Sequence, residues 1–115
     1  LYGAWLGGER GALLMQSSGV GNCINMLSMA QECRMPLLML VTMRGQWGEF
    51  NPWQVPMGQS TTAALENAGV IAQPVDDAAR IAETVDASAR LAFCSYRTVA
   101  VLINQRVIGF KNWSK

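Results

Sequence analysis

Short, nearly continuous runs of apolar residues alternate along this chain with stretches in which apolar residues recur every three or four positions. Runs of this length and apolarity are typical of strands inside a parallel sheet. The strands predicted in this way cover residues 12–16, 37–43, 70–72 and 98–103. Helical spacing predicts helices over residues 22–34, from Ser60 or Thr61 to 67, and from Asp76 or Asp77 to about 95.

The order of these elements predicts the fold. Strands that alternate with helices have crossover connections long enough for parallel pairing. We therefore expect a doubly wound α/β domain over residues 1–115, with a mainly parallel sheet and helices on both faces. The first strand, residues 12–16, is expected to be buried on both sides. Residues 1–6 resemble the end of a helix that lacks its cap, so we also expect the first strands and helices of the domain to precede Leu1.

Composition limits the kinds of partner and binding site that we expect for this chain. The 115 residues are 50% hydrophobic, which is enough for one core. Nine basic and eight acidic residues give a net charge of +1, so no nucleic acid is expected as a partner. No apolar stretch reaches the roughly 18 to 20 residues of a membrane span. The three cysteines lack metal-ligand spacing and no histidine accompanies them, which argues against zinc and favours reduced thiols in a cytoplasmic protein.

Residues 17–22 connect the first predicted strand to a helix and include Gly19 and Gly21. Such a turn lets the backbone and the amides of a helix N-terminus approach a ligand. Dinucleotide binding would need a third glycine, where Ile24 stands, and an acidic residue after the next strand, where Arg44 stands. Ser17 as a hydrolase nucleophile has no histidine to act as its base. Two interpretations remain, a ligand-binding turn and a tight turn without a ligand.

Residues 44–59 fit neither a helix nor a strand and predict a long ordered loop. Arg44 leaves a buried strand and has the planar fork of donors that binds a carboxylate, sulfonate or phosphonate. Charge alone is equally consistent with an alternative, in which Arg44 pairs with Glu49 and holds the loop. Trp47, Trp53 and Phe50 favour a surface that a partner or second subunit covers, so we expect an oligomer.

Together these segments resemble a known family. The run from Met15 to Asn22, followed one helix and one strand later by Arg44 and Gly45, is similar to the pyrimidine-binding domain of thiamine-diphosphate-dependent decarboxylases. The similarity is to the phosphonopyruvate and sulfopyruvate decarboxylases, and it extends over nearly the whole chain.

The resemblance implies a carboxy-lyase subunit that acts on a small 2-oxoacid. Thiamine diphosphate would lie between this domain and a diphosphate-binding domain or subunit that holds Mg²⁺, and the cofactor would carry the difficult chemistry. The cofactor-binding residues implied by the motif are Ser17, Ser18, Gly19, Val20, Gly21 and Asn22. The residues implied to cover the substrate are Arg44, Trp47, Asn51 and Gln54.

The chain also departs from the family. The glutamate that activates the cofactor is expected upstream of Leu1 and is not in this sequence, so no catalytic residue is assigned and the chain alone is expected to be inactive. Related decarboxylases tend to have an acidic residue and a histidine in the stretch that corresponds to residues 51–55, whereas this chain has Asn, Pro, Trp and Gln at positions 51–54. This difference leaves open a bulkier or less charged oxoacid. The alternative function is a non-catalytic α/β binding or protein-interaction module.

Overall fold

Four strands and four α-helices alternate in a computed structural model that describes residues 1–110; the last five residues of the predicted domain lie outside this range. The helices are α1 Tyr2–Leu6, α2 Ser17–Glu32, α3 Val55–Asn67 and α4 Ile81–Ser95. The strands are β1 Ala12–Gln16, β2 Leu37–Thr42, β3 Ile71–Val75 and β4 Thr98–Ile103. Short 3-10 helices cover Pro52–Gln54, Ala78–Arg80 and Gln105–Val107.

The four strands form one parallel sheet in the order β1-β2-β4-β3. The chain moves outward from β1 to β3 and then returns to place β4 between β2 and β3. Such a reversal of strand order is characteristic of doubly wound sheets, and ligands bind outside the carboxyl ends of their strands. The predicted fold class is confirmed.

The sheet has a separate apolar core on each face. Alternate residues of β2 and β4 point to opposite sides, so Met39 and Val41 pack with α2 and α3, whereas Leu38 and Val101 pack with α4. Helices therefore cover both faces, as the sequence predicted. Both central strands are almost completely buried, which explains why their sequences are continuously apolar.

Strand β1 differs from the prediction, because it is not buried on both sides. Among the described residues it is an edge strand, and Leu14 on it is 71% exposed. The cause is the position of α4, which packs against β2, β3 and β4 and leaves the same face of β1 uncovered.

Two helices begin earlier than predicted. Helix α2 starts at Ser17, so residues 17–22 are its first turns and not a loop. Helix α3 starts at Val55, and the expected caps Ser60 and Thr61 are inside it. Their hydroxyls donate to carbonyls four residues earlier, which is how these residues behave in a helix interior.

Within the described residues, each helix is too short or too polar to cross a bilayer.

Candidate functional site

Three connections meet at the carboxyl edge of the sheet. Gln16 at the end of β1 is in register with Thr42 at the end of β2, and Thr42 is in register with Ile103 at the end of β4. The segments that leave these strands are the start of α2, the loop from 43 to 51 and the 3-10 helix Gln105–Val107. The sequence predicted the first two of these segments as a site. The third was missed.

The predicted binding residues at the start of α2 differ in exposure. Some are accessible at this edge, and others are buried. Ser17 is fully buried, and its Oγ accepts a hydrogen bond from the backbone N–H of Arg44 at 3.0 Å. Val20 is in the core. Ser18, Gly19, Gly21 and Asn22 remain at least partly accessible. Ser17 therefore joins α2 to the next loop, and only the accessible four have side chains or α-carbons that a ligand could touch.

Gly21 has a packing role in addition. A Cβ at this position would lie 2.8 Å from the Sδ atom of Met57 on α3. The absence of a side chain thus lets α2 and α3 approach each other beside the site.

Arg44 forms a two-point ion pair with Glu49. Its Nε donates to Glu49 Oε2 at 2.6 Å and its Nη2 donates to Glu49 Oε1 at 2.5 Å. The Glu49 side chain is only 3% exposed. The sequence left open whether Arg44 binds a ligand or pairs with Glu49, and in the structure it pairs with Glu49. A parallel two-bond pairing of this kind fixes geometry as well as charge.

The buried Glu49 carboxylate collects further donors. It accepts from the backbone N–H of Gly45 at 3.1 Å and of Asn51 at 3.0 Å, and from the side-chain amide of Gln105 at 3.1 Å. The hydrogen bonds from Arg44 are the main reason why the pKa of Glu49 is lowered to about 2, and these three donors add to the effect. Glu49 is therefore an anion at the centre of the loop at any physiological pH.

Gln105 connects the loop after β2 to the segment after β4. Its Oε1 accepts from the backbone N–H groups of Gln46 at 3.0 Å and Trp47 at 3.1 Å. Its own backbone N–H donates to Gln46 Oε1 at 3.2 Å. Sequence reasoning missed this residue, although a polar Asn-Gln pair directly after a buried strand was a signal at the right edge of the sheet. We call Arg44, Glu49 and Gln105 the loop clasp.

The α3 helix lies against the clasp because Gly58 has no side chain. A Cβ at position 58 would overlap the carbonyl group of Arg44. The next residue, Gln59, donates its side-chain amide to the carbonyl of Gly45 at 2.6 Å. The backbone of the loop is therefore held from both the helix side and the Gln105 side.

The other predicted loop residues have distinct surroundings. The Arg106 Cζ atom lies 3.9 Å from the centre of the Trp47 ring, a cation–π contact. Asn51 caps the 3-10 helix by accepting from the backbone N–H of Trp53 at 3.1 Å. The Oε1 atom of Gln54 is buried and has no hydrogen-bond partner among residues 1–110. Trp53 itself is 88% exposed.

Several exposed apolar side chains surround the carboxyl edge of the sheet. They follow β2 and β4 in the chain, and we call them the apolar rim. Its members are Trp47, Phe50, Trp53, Val55, Ile108 and Phe110. Exposed apolar groups in such a cluster mark a surface for association.

A cavity of about 200 Å³ opens at this edge. Its lining residues come from the ends of β1 and β2, the loop, and the segment after β4. They are Gln16, Thr42, Met43, Arg44, Phe50, Gln105, Ile108 and Gly109. Within residues 1–110 no three histidine, cysteine, aspartate or glutamate side chains cluster as metal ligands would.

These observations define the chain as an α/β domain whose polar loops converge at the carboxyl edge of a parallel sheet. Comparison with known proteins identifies its relatives. It is 34% identical over 103 residues to the sulfopyruvate decarboxylase subunit alpha of Methanothermobacter thermautotrophicus, which covers 89% of this chain and 62% of that protein. It is 44% identical over 69 residues to the subunit of the same name from Methanococcus maripaludis, covering 59% of this chain and 41% of that protein.

The phosphonopyruvate decarboxylase of Streptomyces viridochromogenes is 41% identical over 66 residues, or 56% of this chain and 17% of that protein. No family model matches the chain. The chain spans less than two thirds of the length of each of these relatives. The predicted resemblance is confirmed, and the chain is related to the sulfopyruvate and phosphonopyruvate decarboxylases.

Proposed function

We propose that this chain is the pyrimidine-binding component of a thiamine-diphosphate-dependent 2-oxoacid decarboxylase. The observation that carries the proposal is the alignment of 89% of the chain with a protein named as the alpha subunit of sulfopyruvate decarboxylase. The position of both motif segments at the carboxyl edge of the parallel sheet supports it, because that edge is where such folds bind ligands.

The residues at this edge fit the flat, nitrogen-containing ring of a pyrimidine. Phe50 and Ile108 line the cavity with apolar side chains, and Gln16 and Ser18 provide amide and hydroxyl groups. Gly19 lies beside Ser18 without a side chain, so a ring can approach the start of α2 closely. Thiamine diphosphate, when bound, supplies the nucleophilic carbon needed for decarboxylation. The chain's own residues would orient the ring and exclude water.

A diphosphate-binding subunit or domain would complete the site and hold Mg²⁺. The relatives named as alpha subunits imply a second subunit in those proteins. The apolar rim supports an association here, since Trp53 and its neighbours are costly to leave in water. We place the partner on this rim, where it would close the carboxyl edge.

The test is release of CO₂ from 2-oxoacids by the complete protein assembled with its diphosphate-binding partner. Turnover is expected only when thiamine diphosphate and Mg²⁺ are both added. Absence of turnover with every 2-oxoacid tried, together with absence of thiamine diphosphate binding by calorimetry, would contradict the proposal. The non-catalytic binding module would then be the remaining interpretation.

Replacement of Trp53 tests the proposed partner surface. Trp53→Ala is expected to weaken association with the diphosphate-binding subunit by about 30-fold, the effect of losing roughly 2 kcal/mol at an interface hot spot. Leu6→Ala is the matched control, because Leu6 is also largely exposed but lies on α1. Both variants should unfold at the wild-type urea concentration. Equal affinities for the two variants in a sedimentation or calorimetric titration would exclude the rim as the interface.

A further inference from the structure

The amino edge of the sheet, at the other end of the strands from the proposed cofactor site, has a cavity of its own. Leu37 and Thr98, the first residues of β2 and β4, are in register there, and the backbone N–H of Leu37 donates to the carbonyl of Arg97 at 3.2 Å. The segments that enter these two strands therefore lie side by side. A cavity of about 420 Å³ opens at this place. Its lining residues are Arg34, Ser95, Tyr96 and Arg97.

The charged side chains that line this cavity are both cationic. Arg34 and Arg97 are exposed, and neither forms an ion pair with a described residue. Ser95 and Tyr96 are exposed as well and add two hydroxyl groups to the lining. An anion with two negative charges would compensate both guanidiniums, whereas an anion with one would leave a guanidinium uncompensated.

The backbone beside the cavity has a conformation that usually selects glycine. Helix α3 ends in this way at Gly69, with a φ of 78°, and the N–H of Val70 then donates to the carbonyl of Leu65. Helices α2 and α4 end with the same pattern of hydrogen bonding, yet the residues at the matching positions are Arg34, with a φ of 50°, and Tyr96, with a φ of 55°. A side chain in this left-handed region costs free energy.

Both of these residues line the same cavity, and among residues 1–110 they are the only residues other than glycine with a positive φ. An unfavourable backbone conformation that keeps a particular side chain is a reason to look for its role. A simpler explanation is that arginines at the ends of α2 and α4 complement the helix dipoles. That explanation covers Arg34 and Arg97, but it does not cover the uncharged Tyr96.

The cavity has room for more than the anionic group itself. Its volume is within the range of small-molecule sites and exceeds what a bare phosphate ion fills. Tyr96 is 54% exposed, and its ring meets the ring of Trp5 edge-on, with the ring centres 6.0 Å apart. The exposed part of the Tyr96 ring is therefore available for contact with an organic group next to the anion.

We propose that Arg34, Ser95, Tyr96 and Arg97 form a binding site for a small organic phosphate monoester. Such a phosphate has close to two negative charges at neutral pH and several acceptor oxygens, which suit two guanidiniums and two hydroxyl groups. Because the site lies at the opposite edge of the sheet, it is separate from the proposed cofactor site and does not depend on the decarboxylase function.

Phenyl phosphate is the probe that tests the site. The complete protein, assembled with its partner and without cofactor or Mg²⁺, is titrated with this compound by calorimetry. Benzoate has the same ring with a single charge, and inorganic phosphate has the charge without the ring. We expect phenyl phosphate to bind at least about 5-fold more tightly than either. Equal affinity for one of these two ligands, or no binding of phenyl phosphate at millimolar concentrations, would overturn the inference.

Replacement of Arg97 tests whether the phosphate binds in this cavity. Arg97→Gln is expected to weaken the binding of phenyl phosphate at least about 10-fold, as the loss of a charge-assisted hydrogen bond does. Arg80→Gln is the matched control, because Arg80 is also an exposed arginine but precedes the first residue of α4, whereas the cavity lies at the end of that helix. Equal affinities for the two variants would show that the phosphate binds elsewhere.

Arg34→Gly separates a binding role from a structural role. Glycine adopts a positive φ without strain, so this variant is expected to unfold at a higher urea concentration than wild type. It should nevertheless bind phenyl phosphate at least about 10-fold more weakly. Wild-type affinity in this variant would overturn the inference, and a lower stability beside it would assign Arg34 to the dipole of α2.

Discussion

Replacing Glu49 by glutamine removes the charge at the centre of the loop clasp and keeps the shape of the side chain. The guanidinium of Arg44 would lose its anionic partner, although a glutamine oxygen could still accept one hydrogen bond. Removing one partner of a buried ion pair is strongly destabilising, because the remaining charge is left without compensation. We expect Glu49→Gln to be the most disruptive single change of a polar residue in the site.

The magnitude follows from the pKa of Glu49. Its value of about 2, against the ordinary 4.5, corresponds to roughly 3 kcal/mol of folding stability at neutral pH. Because the folded-state pKa is lowered, this stability is present above the unfolded-state pKa and is lost as the pH falls toward the folded-state value. By linkage, about 2 kcal/mol of it should be gone by pH 3. Wild type and Glu49→Gln should therefore differ by about 3 kcal/mol at pH 7 and by about 1 kcal/mol at pH 3.

Urea unfolding of both proteins, followed by tryptophan fluorescence at the two pH values, measures these differences. Asp86→Asn is the control, because Asp86 forms the other ion pair within the described residues, with Arg90 on the surface of α4. Both partners of that pair are mostly exposed, so the control should match wild type at either pH. A difference between wild type and Glu49→Gln that does not shrink at low pH would refute the assignment of the effect to the Glu49 charge.

Two further changes test how the loop is held. Gly58→Ala should destabilise the protein by about 1–3 kcal/mol in urea unfolding, because the new methyl group would overlap the backbone of Arg44; Gly3→Ala, which has open space around it, should not destabilise it. Gln105→Ala should cost about 1–3 kcal/mol by leaving backbone donors without acceptors. It should also speed hydrogen exchange at the Trp47 amide, and unchanged exchange would show that Gln105 does not hold the loop.

The sequence predicted the central strands and the fold class because their physical signal is local. Strands β2 and β4 are buried on both faces, and their apolar runs reflect that burial directly. The apolar run of β1 looked the same, yet Leu14 is exposed. A single run does not reveal whether a strand is central or at an edge, since that depends on where the helices of other segments pack.

The start of α2 could not be predicted for a related reason. Glycine and serine disfavour helix, so residues 17–22 resembled a turn. In the structure, tertiary contacts outweigh that preference: Val20 enters the core, Gly21 admits Met57, and the Ser17 hydroxyl binds the N–H of Arg44. Each of these partners is distant in sequence.

Gln105 shows the same limit for the site. Its contacts join residues 56 to 59 positions apart, and the pattern of one segment cannot indicate them. Arg44 and Glu49 are five residues apart, so charge alone indicated that they could pair, while leaving the choice between pairing and ligand binding open. Only the geometry shows that pairing uses both carboxylate oxygens.

The loop clasp and the apolar rim are best understood together. The rim places large apolar side chains in solvent on a loop that contains glycines, and a free loop of this composition would be costly to order on binding a partner. The clasp fixes the same loop in advance through buried hydrogen bonds from Arg44 and Gln105 to Glu49. Preorganisation of this kind lowers the entropy lost on association. The buried hydrogen bonds thus fix the conformation of the loop before association. Trp47 and its neighbours are thereby kept in position at the edge of the sheet where a ligand and a partner would meet.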